Sequence, residues 1–176
     1  MTEKSRTAKS LIKSIFTFII SVAVCVFIGY ETDKYLMPGM PEWYANLFKP
    51  VFAPPAFLFS PLWIASFALM GVILFFILES DIKQRETSFG ATLFGFQFLF
   101  VLLWGFVFFG LHQLFIAFMC AIALFATLTS AVIQAFRFSV YAGLLLIPYF
   151  MWVTYLLYLN YGFMVLNNAV FVIMKM

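Results

Sequence analysis

Fifty consecutive uncharged residues lie between Glu86 and Arg137. As one helix that run would be about 75 Å long at about 1.5 Å per residue, more than twice the roughly 30 Å hydrocarbon core of a bilayer. It therefore reads as two spans, and Gly110, His112 and Gln113 mark the break between them. Three further runs share its character: 17 uncharged residues between Lys13 and Glu31, 29 between Lys49 and Glu79, and 37 between Arg137 and Lys175. Crossing takes about 20 residues. The run of 29 opens with Pro50, Pro54, Pro55 and Pro61, so its first part is an ordered loop and only the rest spans. The expected fold is an all-α integral membrane protein, a five-transmembrane-helix bundle with helices at about 12–30, 58–79, 89–110, 114–136 and 140–166. These make one membrane domain over 12–176, behind a basic N-terminal tail over 1–11.

Composition agrees with lipid as the solvent. Of the 176 residues 65% are apolar and only 10% charged, and the mean hydropathy is +1.07, whereas a soluble domain is about one quarter charged. A compact soluble fold could not cover that much apolar surface. Soluble enzymes, nucleic-acid binders and disordered regulators are excluded. A transmembrane β-barrel needs short segments alternating apolar and polar, and residues 94–109 and 116–128 carry no such alternation.

Basic residues orient the spans. One side collects seven, Lys4, Arg6, Lys9, Lys13, Lys83, Arg85 and Arg137, against three, Lys34, Lys49 and Lys175, on the other. The N-terminus is expected in the cytoplasm and the C-terminus outside, in a multi-pass protein of a prokaryotic cell membrane. The first apolar run mimics a secretion signal, but Val22-Ala23-Val24-Cys25 lacks the small residue that lipoprotein processing wants before cysteine. It reads as an uncleaved first helix.

Little in the chain suggests catalysis. Cys25 and Cys120 sit in apolar spans without metal-ligand spacing. His112 is the single histidine; it cannot build a metal site with the ligands visible and could supply at most one axial haem ligand. The seven acids are expected in tails or loops, so a proton relay lacks its parts. No metal and no obligatory cofactor are expected.

Two features stand out. The stretch from Glu31 to Phe59 is long for a helix connection, stiffened by Pro50, Pro54 and Pro55, and carries Trp43, Tyr44, Leu47 and Phe48. It reads as a lid rather than a tether; the alternative is an interfacial aromatic belt. Helical spacing also places residues three, four, seven and eleven apart on one face. That gives a stripe of Phe59, Trp63, Phe67 and Met70 in the second span. It gives Gln97, Val101, Trp104 and Phe108 in the third, and Tyr149, Trp152, Leu156 and Asn160 in the fifth. Amides are costly in hydrocarbon, so Gln97 and Asn160 should face the interior. The stripes admit simple helix packing or a ligand pocket. Small residues at Ser21, Cys25 and Gly29, at Ala117 and Ala121, and at Gly90 and Gly95 permit close helix approach, and a homodimer is expected.

The motif W-Y-x-x-L-x-K-P-x-x-x-P-P stands at 43–55 and F-x-P-x-W-x-x-x-x-x-x-M-G at 59–71. Gln97, Trp104 and Phe108-Phe109-Gly110 follow, then Leu145-Leu146-Ile147-Pro148-Tyr149, Trp152, Leu159-Asn160 and Leu166-Asn167. In order and spacing this resembles the translocator protein family (TspO/MBR), also called peripheral benzodiazepine receptors or tryptophan-rich sensory proteins. The resemblance implies a five-helix bundle whose first loop closes a pocket, and binding of porphyrins (haem, protoporphyrin), of sterols in some members and of benzodiazepine-type compounds. It implies ligand contacts at Trp43, Tyr44, Pro54, Phe59, Trp63, Phe67, Gln97, Val101, Trp104, Phe108, Tyr149, Trp152, Leu156 and Asn160. Val101 and Leu102 replace an asparagine and a tryptophan common in the family, and Leu156 a small residue, so a polar ligand contact is lost and the pocket floor is fuller. After Tyr161 the next basic residue is Lys175, too distant for the forward sterol pattern; Arg137, Tyr141 and Leu144 fit only the weak reversed one. The expected function is membrane-embedded porphyrin binding with a sensory, stress-regulatory or sequestering role. The alternatives are light- and oxygen-dependent porphyrin degradation, with Trp63 and Trp152 as candidate catalytic residues, transport of porphyrin- or sterol-like molecules, and a scaffold.

Overall fold

The protein is described from a computed structural model, over residues 3–79, 84–138 and 140–173. Of the basic residues that set the orientation, Lys83 and Lys175 lie outside the described residues, as do the side chains of Lys4, Arg6, Lys9 and Arg85; so does the side chain of Tyr141. Six α-helices follow one another: α1 (Glu3–Leu36), α2 (Met40–Ala45), α3 (Phe59–Leu78), α4 (Gln84–Gly105), α5 (Leu114–Phe138) and α6 (Val140–Ile173). Five of them, all but α2, are long and apolar enough to span a membrane. No strand occurs among the described residues, as lipid demands of a chain that must satisfy its own backbone. Hydroxyls in the spans do the same locally: Thr17, Ser21, Thr32, Ser66, Thr129 and Thr154 each donate to a carbonyl four residues back.

The helix ends depart from the expected ones. α1 starts at Glu3 and runs to Leu36, beyond the first charges on both sides. Glu31 and Asp33 therefore stand on a helix rather than in a loop, and Lys34 pairs with Glu31 at 2.7 Å in an i,i+3 arrangement that suits a helix face. Charge marked the end of the apolar run, not the end of the helix. α6 likewise continues to Ile173. The first connection is correspondingly shorter and holds its own structure: α2, with proline in its first turn, and a 3₁₀ turn at Ala56–Leu58. α4 passes into a π-helical turn at Phe106–Gly110 before the break at Leu111, His112 and Gln113, with His112 at φ 57°.

α1 lies along α3, α4 along α5, and α5 along α6, while α3 and α6 barely meet. Ser21 and Cys25 are buried in the α1–α3 joint. A Cβ on Gly71 would stand 2.6 Å from Val22 Cα, and one on Gly29 2.8 Å from Phe67 Cγ. Ser14 donates to the Glu79 carboxylate at the other end of the pair. Ala117 and Ala121 are fully buried as well. Two of the three small faces from which a dimer is expected are thus used inside the bundle; Gly90 and Gly95 have nothing within 4 Å of a Cβ.

Candidate ligand site between α3, α4 and α6

Because α3 and α6 splay apart, a gap opens between them, and aromatic side chains fill it. Phe59, Trp63 and Ser66 of α3 meet Val101, Trp104, Phe108 and Phe109 of α4 and its π turn. Leu124 of α5 and Tyr149, Trp152, Val153, Leu156, Leu159, Asn160 and Phe163 of α6 complete the lining. The π turn, a form frequent at functional sites, turns both Phe108 and Phe109 inward, at 1% and 3% exposure. Trp104 stacks on Phe108 (5.3 Å, 18°) and lies 6.0 Å from Trp63 at a tilt of 33°. Gly105 makes room for Trp63, whose Cη2 would collide with any Cβ there.

Every indole N–H of that pair is spent. Trp63 Nε1 donates to Thr32 Oγ1 (3.1 Å) and Trp104 Nε1 to Asn160 Oδ1 (3.0 Å), while Asn160 Nδ2 donates to the Leu156 carbonyl (2.8 Å). What remains is a cavity of about 20 Å³, room for a single water, which needs roughly 10–15 Å³, and far too little for a porphyrin. Its own rings fill the site. Among the described residues no charged one lines it.

Nine of the fourteen sequence-expected contacts line this cavity: Phe59, Trp63, Val101, Trp104, Phe108, Tyr149, Trp152, Leu156 and Asn160. Five lie elsewhere. Phe67, fully buried, presses on Gly29 and edges onto Phe98. Gln97 faces inward, but onto α5, donating to Leu124 O (2.9 Å) and Thr127 Oγ1 (2.6 Å). Trp43 stacks on His112 (4.3 Å, 11°) and edges onto Phe108, capping the bundle end; His112 thus lies outside the cavity. Tyr44 is buried against Phe59 and Phe163 and donates to the Pro54 carbonyl at 2.6 Å. Burial, helped by nearby Tyr155, pushes its phenol up to about 12. Ser66, Phe109, Leu124, Val153, Leu159 and Phe163 were missed. Ser66 and Phe163 continue the helical stripes through Trp63 and Asn160 at three-residue spacing; Leu124 sits in a helix apolar on all sides and gave no signal. Among the described residues no cluster of His, Cys, Asp or Glu could hold a metal.

After α2 the chain lies along α6 and is fastened to it. Asn167 accepts from Phe48 N and donates to Phe48 O, both at 3.0 Å. Tyr158 donates to Val51 O at 3.0 Å and Tyr155 to Phe52 O at 2.8 Å. Pro50 rests on Gly162, where a Cβ would come within 2.5 Å. Both tyrosines lie within the span Gly143–Asn167, and non-helical backbone at such depth needs partners of this kind. Phe52 turns the chain back toward α3 at φ 65°. Val51, Phe52 and Phe57 are 68%, 84% and 74% exposed, an apolar outer face suited to lipid.

A match to the TspO/MBR family covers residues 19–166. A protein of Chlorobaculum tepidum called tryptophan-rich protein TspO is 30% identical over 155 residues, 88% of this chain and 98% of the relative. A protein of the same title from Archaeoglobus fulgidus is 30% identical over 158 residues, covering 88% and 99%. A tryptophan-rich sensory protein of Cereibacter sphaeroides is 29% identical over 136 residues, covering 77% and 82%. With five apolar helices, a match over most of its length and relatives aligned nearly end to end, the chain is a multi-pass membrane protein that belongs to the TspO/MBR family.

Proposed function

We propose that this protein binds flat, hydrophobic small molecules, porphyrins such as haem and protoporphyrin foremost, in the slot between α3, α4 and α6. Its role is sensory or sequestering, in the cell membrane with the N-terminus cytoplasmic, as the bias of basic residues supports. The observation that carries the reading is the aromatic-lined cavity on α6, the helix to which the first connection is fastened by side-chain hydrogen bonds. Rings already stacked at 5–6 Å can part to admit another ring, and flat aromatics favour such contacts. The covering segment is the movable part: it is fastened at a few discrete bonds, and its exposed face is apolar. A bilayer-dissolved ligand reaches the slot by displacing it. The sensory title of the Cereibacter relative supports the role.

Trp43 and Tyr44 hold the near end of the cover, so Trp43→Ala and Tyr44→Ala are expected to weaken protoporphyrin binding by up to about tenfold each. That follows from the loss of ring contacts of about 0.5–1.5 kcal/mol. Equilibrium titration in lipid nanodiscs, with thermal unfolding as a check on the fold, measures this. Unchanged affinity in both single variants and in the double variant would leave the two residues as interfacial anchors.

A further inference from the structure

Among the described residues two tyrosines are almost completely buried, Tyr44 and Tyr149, each at 2% exposure. Tyr44 donates to Pro54 O; the Tyr149 hydroxyl has no protein partner and belongs to the lining of the cavity. A tyrosine kept only for its ring would be replaced without loss by phenylalanine, because a buried hydroxyl left unpaired is destabilising and usually finds a partner. Among the other polar groups around the cavity, Trp63, Trp104 and Asn160 each donate as above and Ser66 Oγ donates to Leu62 O, while Trp152, which also lines it, is only partly buried. Tyr149 is therefore the fully buried lining residue whose hydroxyl is left without a protein partner.

Its place in the site adds a direction. Phe163, fourteen residues further along α6, touches Tyr44 under the cover, so Tyr149 stands at the opposite, inner end, about 21 Å away at about 1.5 Å per residue. Among the described residues no charge lines the cavity, while at the outer end Lys49 Nζ stands 5.0 Å from the Tyr44 ring centroid. An ionised group driven to the inner end would be unpaired in low dielectric. We infer that the Tyr149 hydroxyl selects the ligand: the inner end takes a neutral hydrogen-bond acceptor on a flat ring, a carbonyl or imine nitrogen, and ionised groups stay at the outer end. This deepens the binding reading above and rests on it. The acceptor displaces whatever water the cavity holds, exchanging one hydrogen bond to Tyr149 for another.

The test uses 9-fluorenone and fluorene, which share a three-ring skeleton and differ by one carbonyl. Binding to the full chain in nanodiscs is measured after subtracting partition into empty discs. The wild type is expected to prefer fluorenone by about three- to tenfold, the worth of one net hydrogen bond. Tyr149→Phe should erase that preference, leave fluorene affinity unchanged, and keep or raise the thermal midpoint. The carbonyl stretch of bound fluorenone should move to lower wavenumber in the wild type, a reading that does not depend on how the variant folds. A ratio near one in the wild type, the same preference in both proteins, an unshifted carbonyl band, or no saturable binding of either compound would overturn the assignment. Protoporphyrin titrated in the same discs separates the two readings: saturable porphyrin binding without a ketone preference removes only the role of Tyr149.

Discussion

Replacing Gly71 with leucine should lower the midpoint of thermal unfolding by about 6 °C, whereas Gly95→Leu should raise it by about 2–4 °C. At Gly71 the obstacle is backbone: a Cβ would come within 2.6 Å of Val22 Cα and 2.9 Å of Ser21 O, and backbone cannot rotate away. α1 and α3 must move apart along the joint that buries Ser21 and Cys25. Overpacking costs about 1–3 kcal/mol and occasionally more; leucine returns roughly 1 kcal/mol of helix propensity, which is the smaller effect. A net loss of about 2 kcal/mol shifts the midpoint by about 6 °C in a chain of this size. Gly95 has nothing within 4 Å, so there only the propensity gain operates. Equal midpoints for the two variants would mean that α1 and α3 are not held this close.

The second large effect concerns the cover. In the triple variant Tyr155→Phe, Tyr158→Phe, Asn167→Leu, four bonds to the backbone of Phe48, Val51 and Phe52 disappear. Such bonds average about 0.6 kcal/mol in membrane proteins. Together they contribute about 2 kcal/mol, or roughly thirtyfold in the opening equilibrium. Because the bonds hold the cover in both free and bound protein, association and dissociation of protoporphyrin should both accelerate about thirtyfold while the affinity moves little. Stopped-flow measurement in nanodiscs reads the rates directly. Rates equal to those of the wild type would mean that ligand passes by another route.

Much of this architecture was legible in the chain because lipid removes options. With no water to satisfy backbone groups, an uncharged run of sufficient length becomes a helix, and all five spans were readable. Their ends were not, since Glu31, Asp33 and Lys34 can extend a helix into water. The stripes on the third and fifth spans named most of the cavity, because helical period fixes which residues share a face. It does not fix which neighbour that face meets: Phe67 and Gln97 keep the spacing yet turn toward α1 and α5. Tyr155 and Tyr158, which fasten the cover, are indistinguishable in sequence from an interfacial belt. Their role depends on a segment about a hundred residues away.

The central claim, that the aromatic slot opens around a flat ligand, is tested most directly by titrating protoporphyrin into wild type and Leu156→Trp in nanodiscs and following the Soret band. Leu156 is 5% exposed and lines a cavity of about 20 Å³, so an indole there occupies the space that the ligand needs. The wild type should show a saturable shift at one porphyrin per chain. The filled variant, with its helical circular dichroism intact, should bind at least about tenfold more weakly. Superimposable titrations of the two proteins would contradict the account and place the porphyrin outside the slot.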